Sequence, residues 1–209
     1  AIKSNGHILV AFGSIAVELD ENLKVLGAIG RELLDRGNYT YAGGVFLTPA
    51  DTLYLKPSTG RQVQKLVDGS PLFQPVNIGM DPYGPFTVLH DGTIVAFDMM
   101  AQRTMNIDGR KRLPLDLKTS SSSYIGYLGT GPDGNIWAWD TTERRFKIFT
   151  KKGILIDSIV PITGVNEYLT PMAFAIYPDG SFAMFVYGSL GPELRRYSRG
   201  GVLKWSLLE

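Results

Sequence analysis

The sequence predicts an all-β fold built from about five repeats of one four-stranded antiparallel unit. The first observation is a turn signal, Asp-Gly or a close relative, that returns along the chain just before an apolar run. Its copies are Asn5-Gly6, Ala50-Asp51, Asp91-Gly92, Asp133-Gly134 and Asp179-Gly180. Successive copies, counted between Gly6, Asp51, Gly92, Gly134 and Gly180, lie 45, 41, 42 and 46 residues apart. A period of about 40 to 50 residues with several strands per unit is typical of β-propeller blades.

The second observation is a further turn in each unit, in phase with the first. In the fourth unit the segments 135–140 and 145–150 alternate apolar and polar side chains, as half-buried strands do, and Lys151-Lys152-Gly153 follows them. The corresponding turns are Asp20–Asn22, Asp68-Gly69, Asp108-Gly109 and Gly200-Gly201. Two turns and one polar connection delimit four strands, the meander of one blade. Each Asp-Gly pair predicts a two-residue hairpin in which both residues have positive φ.

The repeat defines the domain organisation. Its period runs through the whole chain, so we expect residues 1–209 to form a single domain. The units span about residues 1–30, 43–76, 85–117, 125–160 and 172–207. The five units form either a five-bladed ring or a segment of a six- or seven-bladed one, because no spare strand remains to complete a blade shared between the ends. A two-sheet sandwich is the alternative fold, but it does not explain the in-phase turns.

Composition excludes several classes of function. Lys+Arg is 21 and Asp+Glu is 20, so no strong field attracts nucleic acid or an anionic membrane. No apolar stretch approaches the roughly 18 residues of a membrane-spanning helix, so we expect no membrane insertion. The absence of cysteine excludes disulfides, thiolate nucleophiles and Cys-ligated metals. An extracytoplasmic bacterial location is favoured over a cytoplasmic one, and the oligomeric state is not indicated.

The repeat unit resembles that of NHL-type six-bladed propellers. In that repeat the second strand ends in Asp and a basic residue follows a few positions later. Asp98 with Arg103, and Asp140 with Arg145, follow this pattern, and we expect each pair to form an ion pair within its blade. Units one, two and five lack the pattern, so the resemblance is to the propeller class in general. It implies a fold and no catalytic motif.

Tyrosines lie in phase with the repeat in the predicted loops between blades. These loops are residues 30–42, 77–84, 118–124 and 161–171, and we expect a ligand to dock on the face that they form. The candidate contact residues are Tyr39, Tyr41, Tyr83, Tyr124 and Tyr168, and the charged residues expected to set polarity are Arg31, Arg36, Asp81 and Glu167. Phenol rings are flat and apolar with a polar tip, which suits protein, peptide or carbohydrate ligands. The alternative is that each tyrosine wedges between adjacent blades and caps the core.

These patterns favour a non-catalytic module that binds a ligand or a protein partner through the inter-blade loop face, without a cofactor. Two alternatives stay open. One is a calcium-dependent hydrolase or lactonase, because gluconolactonase- and paraoxonase-type propellers bind a catalytic calcium ion at the channel mouth. Its oxygen ligands would come from Glu32, Asp35, Asp81 and Glu167. The other is a structural segment of a larger sensor or cell-envelope protein. His7 and His90 flank hairpins and are too few for a three-His zinc site.

Overall fold

The computed structural model describes residues 3, 5–12, 15–20, 22–29, 42–50, 52–57, 62–66, 73–77, 84–98, 103–108, 111–115, 117, 124–162, 171–188 and 191–208. These residues form strands joined by turns, so the all-β prediction is confirmed. Within them there is no helix of a length and hydropathy that would cross a membrane.

The strands form five antiparallel sheets in chain order. Sheet one has three described strands, and sheets two to five have four each, hydrogen-bonded in sequential order. The strands of sheets one to three are β1 (Ile8–Phe12), β2 (Ile15–Leu19), β3 (Val25–Ile29), β4 (Ala42–Leu47), β5 (Leu53–Pro57), β6 (Gln62–Leu66), β7 (Phe73–Asn77), β8 (Phe86–Val88), β9 (Ile94–Asp98), β10 (Arg103–Asp108) and β11 (Lys111–Leu115). Those of sheets four and five are β12 (Ile125–Thr130), β13 (Ile136–Asp140), β14 (Arg145–Phe149), β15 (Leu155–Ile159), β16 (Pro171–Ile176), β17 (Phe182–Gly188), β18 (Gly191–Tyr197) and β19 (Leu203–Leu208).

One hairpin geometry joins the first two strands of sheets three, four and five, and the same turn precedes β1 in sheet one. Gly92 has a φ of +84° and its amide donates to the Leu89 carbonyl at 2.9 Å, and Gly6, Gly134 and Gly180 make the same bond with φ of +85°, +72° and +78°. Among the described residues only Leu23 and Arg144 combine a side chain with positive φ, so Asp91 does not. The hairpin is therefore a three-residue loop, a type I turn followed by a glycine bulge, and the prediction of positive φ at both Asp and Gly is wrong.

The aspartate side chain explains this turn choice. Asp91 Oδ1 accepts a hydrogen bond from the Thr93 amide at 3.0 Å, and Asp179 Oδ1 accepts one from the Ser181 amide at 2.9 Å. Such a bond to the amide two residues on favours a right-handed turn conformation for Asp, so Gly alone takes the left-handed one. The turn at Asn5 has the same bond, from the His7 amide at 3.1 Å.

The core lies in layers between consecutive sheets. Between sheets four and five, Trp139 and Phe146 pack against Phe182 and Tyr197, and all four side chains are buried. Phe146 meets Phe182 nearly edge-on at 5.1 Å between ring centroids, and Phe182 stacks on Tyr197 at 5.1 Å. Similar apolar layers lie between sheets one and two, two and three, and three and four. The first strand or the first described strand of each sheet contacts that of the next.

A glycine fixes the outer edge of the layer between sheets four and five. Gly201 lies in the last turn of sheet five with a φ of +82°, and its carbonyl accepts from the Ile162 amide at 2.7 Å. A Cβ on Gly201 would lie 2.4 Å from the Val160 carbonyl oxygen. The backbone of one sheet therefore approaches the other at a distance that only glycine permits.

We predict that Gly201→Ala lowers the free energy of unfolding by more than about 2 kcal/mol, because left-handed strain adds to a clash with rigid backbone. Gly200→Ala is the matched control, since a Cβ on Gly200 meets nothing within 4 Å. Urea unfolding of both variants measures the difference. Equal stabilities would contradict the close approach of the two sheets.

Candidate functional site

Most of the predicted site residues lie outside the described residues. These are Tyr39, Tyr41, Tyr83, Tyr168, Arg31, Arg36, Asp81 and Glu167, together with Glu32 and Asp35 of the calcium alternative. Their convergence on one face stays a prediction. The described part of that face comprises Tyr124, the turn between β13 and β14, and the ends of the neighbouring strands.

Tyr124 is the candidate tyrosine that the structure describes. It directly precedes β12, and its carbonyl accepts a hydrogen bond from the Thr141 amide at 2.9 Å. Its half-buried ring meets Phe97 edge-on, with 6.2 Å between ring centroids, and packs on the apolar layer between sheets three and four. This contact agrees with the blade-packing alternative for Tyr124, and its ligand role stays a prediction.

A buried ion network lies at the turn between β13 and β14, at the inter-blade loop end of sheet four. Lys147 Nζ donates to Asp140 Oδ2 at 2.8 Å and to Glu143 Oε1 at 2.6 Å. The other oxygen of Asp140 accepts from the Thr142 and Glu143 amides at 3.0 and 2.9 Å. Asp140 is only 1% exposed. A carboxylate engaged in this way braces the turn and has no oxygen left to act as a base toward a ligand.

Burial by itself lowers the pKa of Lys147, because the charged form loses solvent. The hydrogen bonds and charges of Asp140 and Glu143 raise it by more, so the net pKa lies above the ordinary lysine value. The raised pKa means that the network stabilises the fold throughout the neutral range.

This network shows that the prediction of an ion pair between Asp140 and Arg145 is wrong. Asp140 and Arg145 are register partners, but Arg145 Nε lies 3.3 Å from Glu143 Oε2, and Lys147 bonds to Oδ2 of Asp140. The reason is that the turn amides occupy one carboxylate oxygen and leave the other directed at Lys147. For Asp98 and Arg103 the arginine side chain lies outside the described set, so that pair stays a prediction.

Sheet five has a buried cation at the equivalent position. Arg195 on β18 donates from Nε to Glu193 Oε2 at 2.7 Å, and both side chains are buried. Arg195 pairs with Met184 as Lys147 pairs with Ala138, so the two cations occupy the same place on the third strand. The alternation of charged and apolar residues in RFKIF places Lys147 on the face opposite to Phe146 but does not show what that face meets, so it did not reveal the network.

The described residues do not fit a calcium site. Among them no three His, Asp or Glu side chains come together in a way that could hold a metal ion. Of the described carboxylates at this end, Asp140, Glu143 and Glu193 each contact a buried cation. Calcium takes six to eight oxygen ligands, so any such site would need the inter-blade loops.

The chain is similar in fold to solved β-propeller structures. Virginiamycin B lyase from Staphylococcus aureus is 11% identical with a TM-score of 0.62, and the match covers 100% of this chain and 68% of that one. A putative gluconolactonase is 15% identical with a TM-score of 0.59, over 88% of this chain and 69% of that one. The calcium-binding protein regucalcin from Agrobacterium tumefaciens is 17% identical with a TM-score of 0.57, over 88% and 66%. The chain thus spans about two thirds of the length of each. No protein-family model matches the sequence, and no curated protein matches it.

These similarities confirm the propeller class, while the narrower resemblance to NHL-type repeats stays a prediction. They also correct the functional expectation. Proteins of this fold found by the comparison include a lyase and a putative gluconolactonase, and these names favour the hydrolase or lactonase alternative. The prediction of a non-catalytic binding module is therefore wrong.

We predict that Lys147→Met lowers the free energy of unfolding at pH 7 by about 3 kcal/mol, because it leaves the buried Asp140 carboxylate without its cation. Lys151→Met is the control. Lys151 is exposed and lies 3.5 Å from Asp91, a pair worth about 1 kcal/mol or less.

The pH dependence provides a second measurement. The raised pKa of Lys147 means that its contribution is complete below the ordinary lysine pKa and is lost as pH rises through the folded value. The stability gap between the parent chain and Lys147→Met should therefore stay constant from pH 7 to 9 and narrow in stronger alkali. A gap that does not change there would contradict the network.

Proposed function

We propose that this chain is the propeller of an enzyme of the lactonase, hydrolase or lyase kind, acting on a small ester-like or lactone-like substrate. The observation that supports the proposal is the superposition of the whole chain on the propeller of a lyase, with further similarity to a putative gluconolactonase. We infer that the substrate binds at the inter-blade loop face, because propeller ligands usually dock around that end of the channel.

The described residues limit where the chemistry can take place. Asp140, Glu143 and Glu193 are held by Lys147 and Arg195, so they position strands and do not transfer protons. Thr87 and Thr130, on the first strands of sheets three and four, hydrogen-bond to each other at 2.8 Å and close that part of the inner wall. The reactive groups of the proposed enzyme therefore belong to the inter-blade loops, where Asp81 and Glu167 are the candidates.

The direct experiment measures turnover of two probes named by the similar proteins, gluconolactone and virginiamycin B. We expect at least one to be converted faster than its uncatalysed rate. Asp81→Asn and Glu167→Gln should each reduce kcat/KM by about 100-fold or more if a carboxylate acts as acid or base, with little change in melting temperature. Absence of turnover by the parent chain on both probes and on a panel of other lactones and esters would overturn the proposal.

Asp133→Asn provides the matched control. Asp133 is an exposed carboxylate in the hairpin between β12 and β13, at the opposite end of the sheets from the inter-blade loops. We expect it to leave kcat/KM unchanged. Loss of activity in Asp133→Asn as well would place the reaction elsewhere.

The need for calcium is tested in the same assay. Turnover is compared after chelation and after addition of calcium, and the melting temperature is followed in parallel, because an ion bound only by the native state must raise stability. Activity that survives chelation would agree with the engagement of Asp140, Glu143 and Glu193 by buried cations. A calcium-dependent rise in both quantities would assign the ion to the inter-blade loops.

A further inference from the structure

Sheet five has an open face whose counterpart on sheet four is covered. In both sheets the last residue of the third strand pairs with the first residue of the second, Phe149 with Ile136 and Tyr197 with Phe182. By this register Leu194 occupies the place of Phe146. Phe146 is 0% exposed because sheet five covers it, whereas Leu194 is 36% exposed.

The exposed face continues across the sheet. Trp205 pairs with Arg196 and Leu207 pairs with Leu194, so both project on the open side of β19. Trp205 is 43% exposed, and Leu207 and Tyr187 are more exposed still. Phe185, at the place of the buried Trp139, is half-buried. An apolar surface of this kind is typical of an interaction site.

A repeated ion pair shows what covers such a face elsewhere in the molecule. Asp91 in the first hairpin of sheet three lies 3.5 Å from Lys151 in the last hairpin of sheet four. Asp133 of sheet four lies 3.9 Å from Arg199 of sheet five in the same relation. Sheets three and four thus each offer an aspartate to a cation of the next sheet. Asp179 is the equivalent aspartate of sheet five, and its ion-pair contact is Arg196 of its own sheet at 4.0 Å.

Sheet one is a poor match for this face. Its last hairpin begins at Asp20, which makes the bonds that Thr150 and Ser198 make in sheets four and five. The residue that follows is Glu21, where the other two sheets have Lys151 and Arg199. In the sequence, therefore, sheet one has an acidic residue at the position where sheets four and five have the cation that pairs with an aspartate of the preceding sheet.

Exposure on sheet one agrees with this mismatch. Val10 of β1 has the position of Ala138, because it follows Gly6 by four residues as Ala138 follows Gly134, and it projects away from sheet two. Val10 is 42% exposed and Ala138 is 0% exposed. Ile8, Val17 and Leu19, which share this face by their register, are half-buried. The described part of the face of sheet one that looks away from sheet two is therefore partly exposed.

We propose that the open face of sheet five is a docking surface for a further four-stranded blade, joined in sequence to the fifth, with Lys or Arg at the place of Arg199 in its last hairpin. Such a blade continues the apolar layers and the Asp–cation pairs that already join consecutive sheets. The proposal is independent of the enzymatic function.

The test adds a blade of this chemistry to the full chain. A second copy of residues 163–208 is fused after residue 208, with the copy's tryptophan changed by Trp205→Phe so that the added blade contributes no fluorescence. The copy carries the Arg199 cation and Gly201, the glycine that approaches the backbone of sheet four. Acrylamide quenching then reports the exposure of the original Trp205 against the buried Trp137 and Trp139.

In the 209-residue chain we expect a monomer in which one tryptophan is readily quenched. In the extended chain we expect that quenching to fall to the level of the buried pair, with a rise in melting temperature. The matched control is the same extension with Arg199→Glu in the copy. It should show a smaller fall in quenching and a smaller rise in melting temperature. If Trp205 is as readily quenched in the extended chain as before, the proposal is overturned. It is also overturned if Trp205 is already protected in the 209-residue chain, by sheet one in a monomer or by a second copy in a dimer.

Discussion

Face-to-face packing between neighbouring sheets is the interaction on which the rest of the structure depends. A four-stranded sheet cannot bury its own faces, so Trp139, Phe146, Phe182 and Tyr197 are buried only because sheets four and five meet. Burial of large apolar side chains contributes about 1.5 to 3 kcal/mol each, which exceeds what the exposed ion pairs between the same sheets can supply. The exposed ion pairs therefore contribute little to stability by comparison.

The fold could be predicted from the sequence because its signals are local and periodic. The turns at Asp91-Gly92 and Asp133-Gly134 occur at fixed intervals, and each opens a strand of alternating residues. The type of the hairpin was predicted wrongly, because the Asp-Gly pair is compatible with a two-residue and with a three-residue loop. The hydrogen bond that the Thr93 amide donates to Asp91 Oδ1 favours the three-residue loop. A sequence motif does not reveal which donor a carboxylate binds.

The site was harder to predict for a related reason. The two-residue alternation of a β-strand shows that Lys147 lies on the face opposite to Phe146. It does not show whether that face meets solvent or a neighbouring sheet. Asp140 and Glu143 make burial of this lysine favourable, and they lie close to it only after the turn has folded. The in-phase tyrosines raise the same question, and for Tyr124 the contact with Phe97 agrees with packing between blades.

Charged residues have different roles at the two ends of the sheets. At the hairpin end, Asp91 with Lys151 and Asp133 with Arg199 are exposed pairs that join one sheet to the next. At the loop end, Lys147 and Arg195 are buried and neutralise the carboxylates beside them. A scaffold whose own carboxylates are neutralised leaves the electrostatics of the channel mouth to the loops that connect the sheets. Those loops can therefore change their chemistry without disturbing the packing that holds the sheets together.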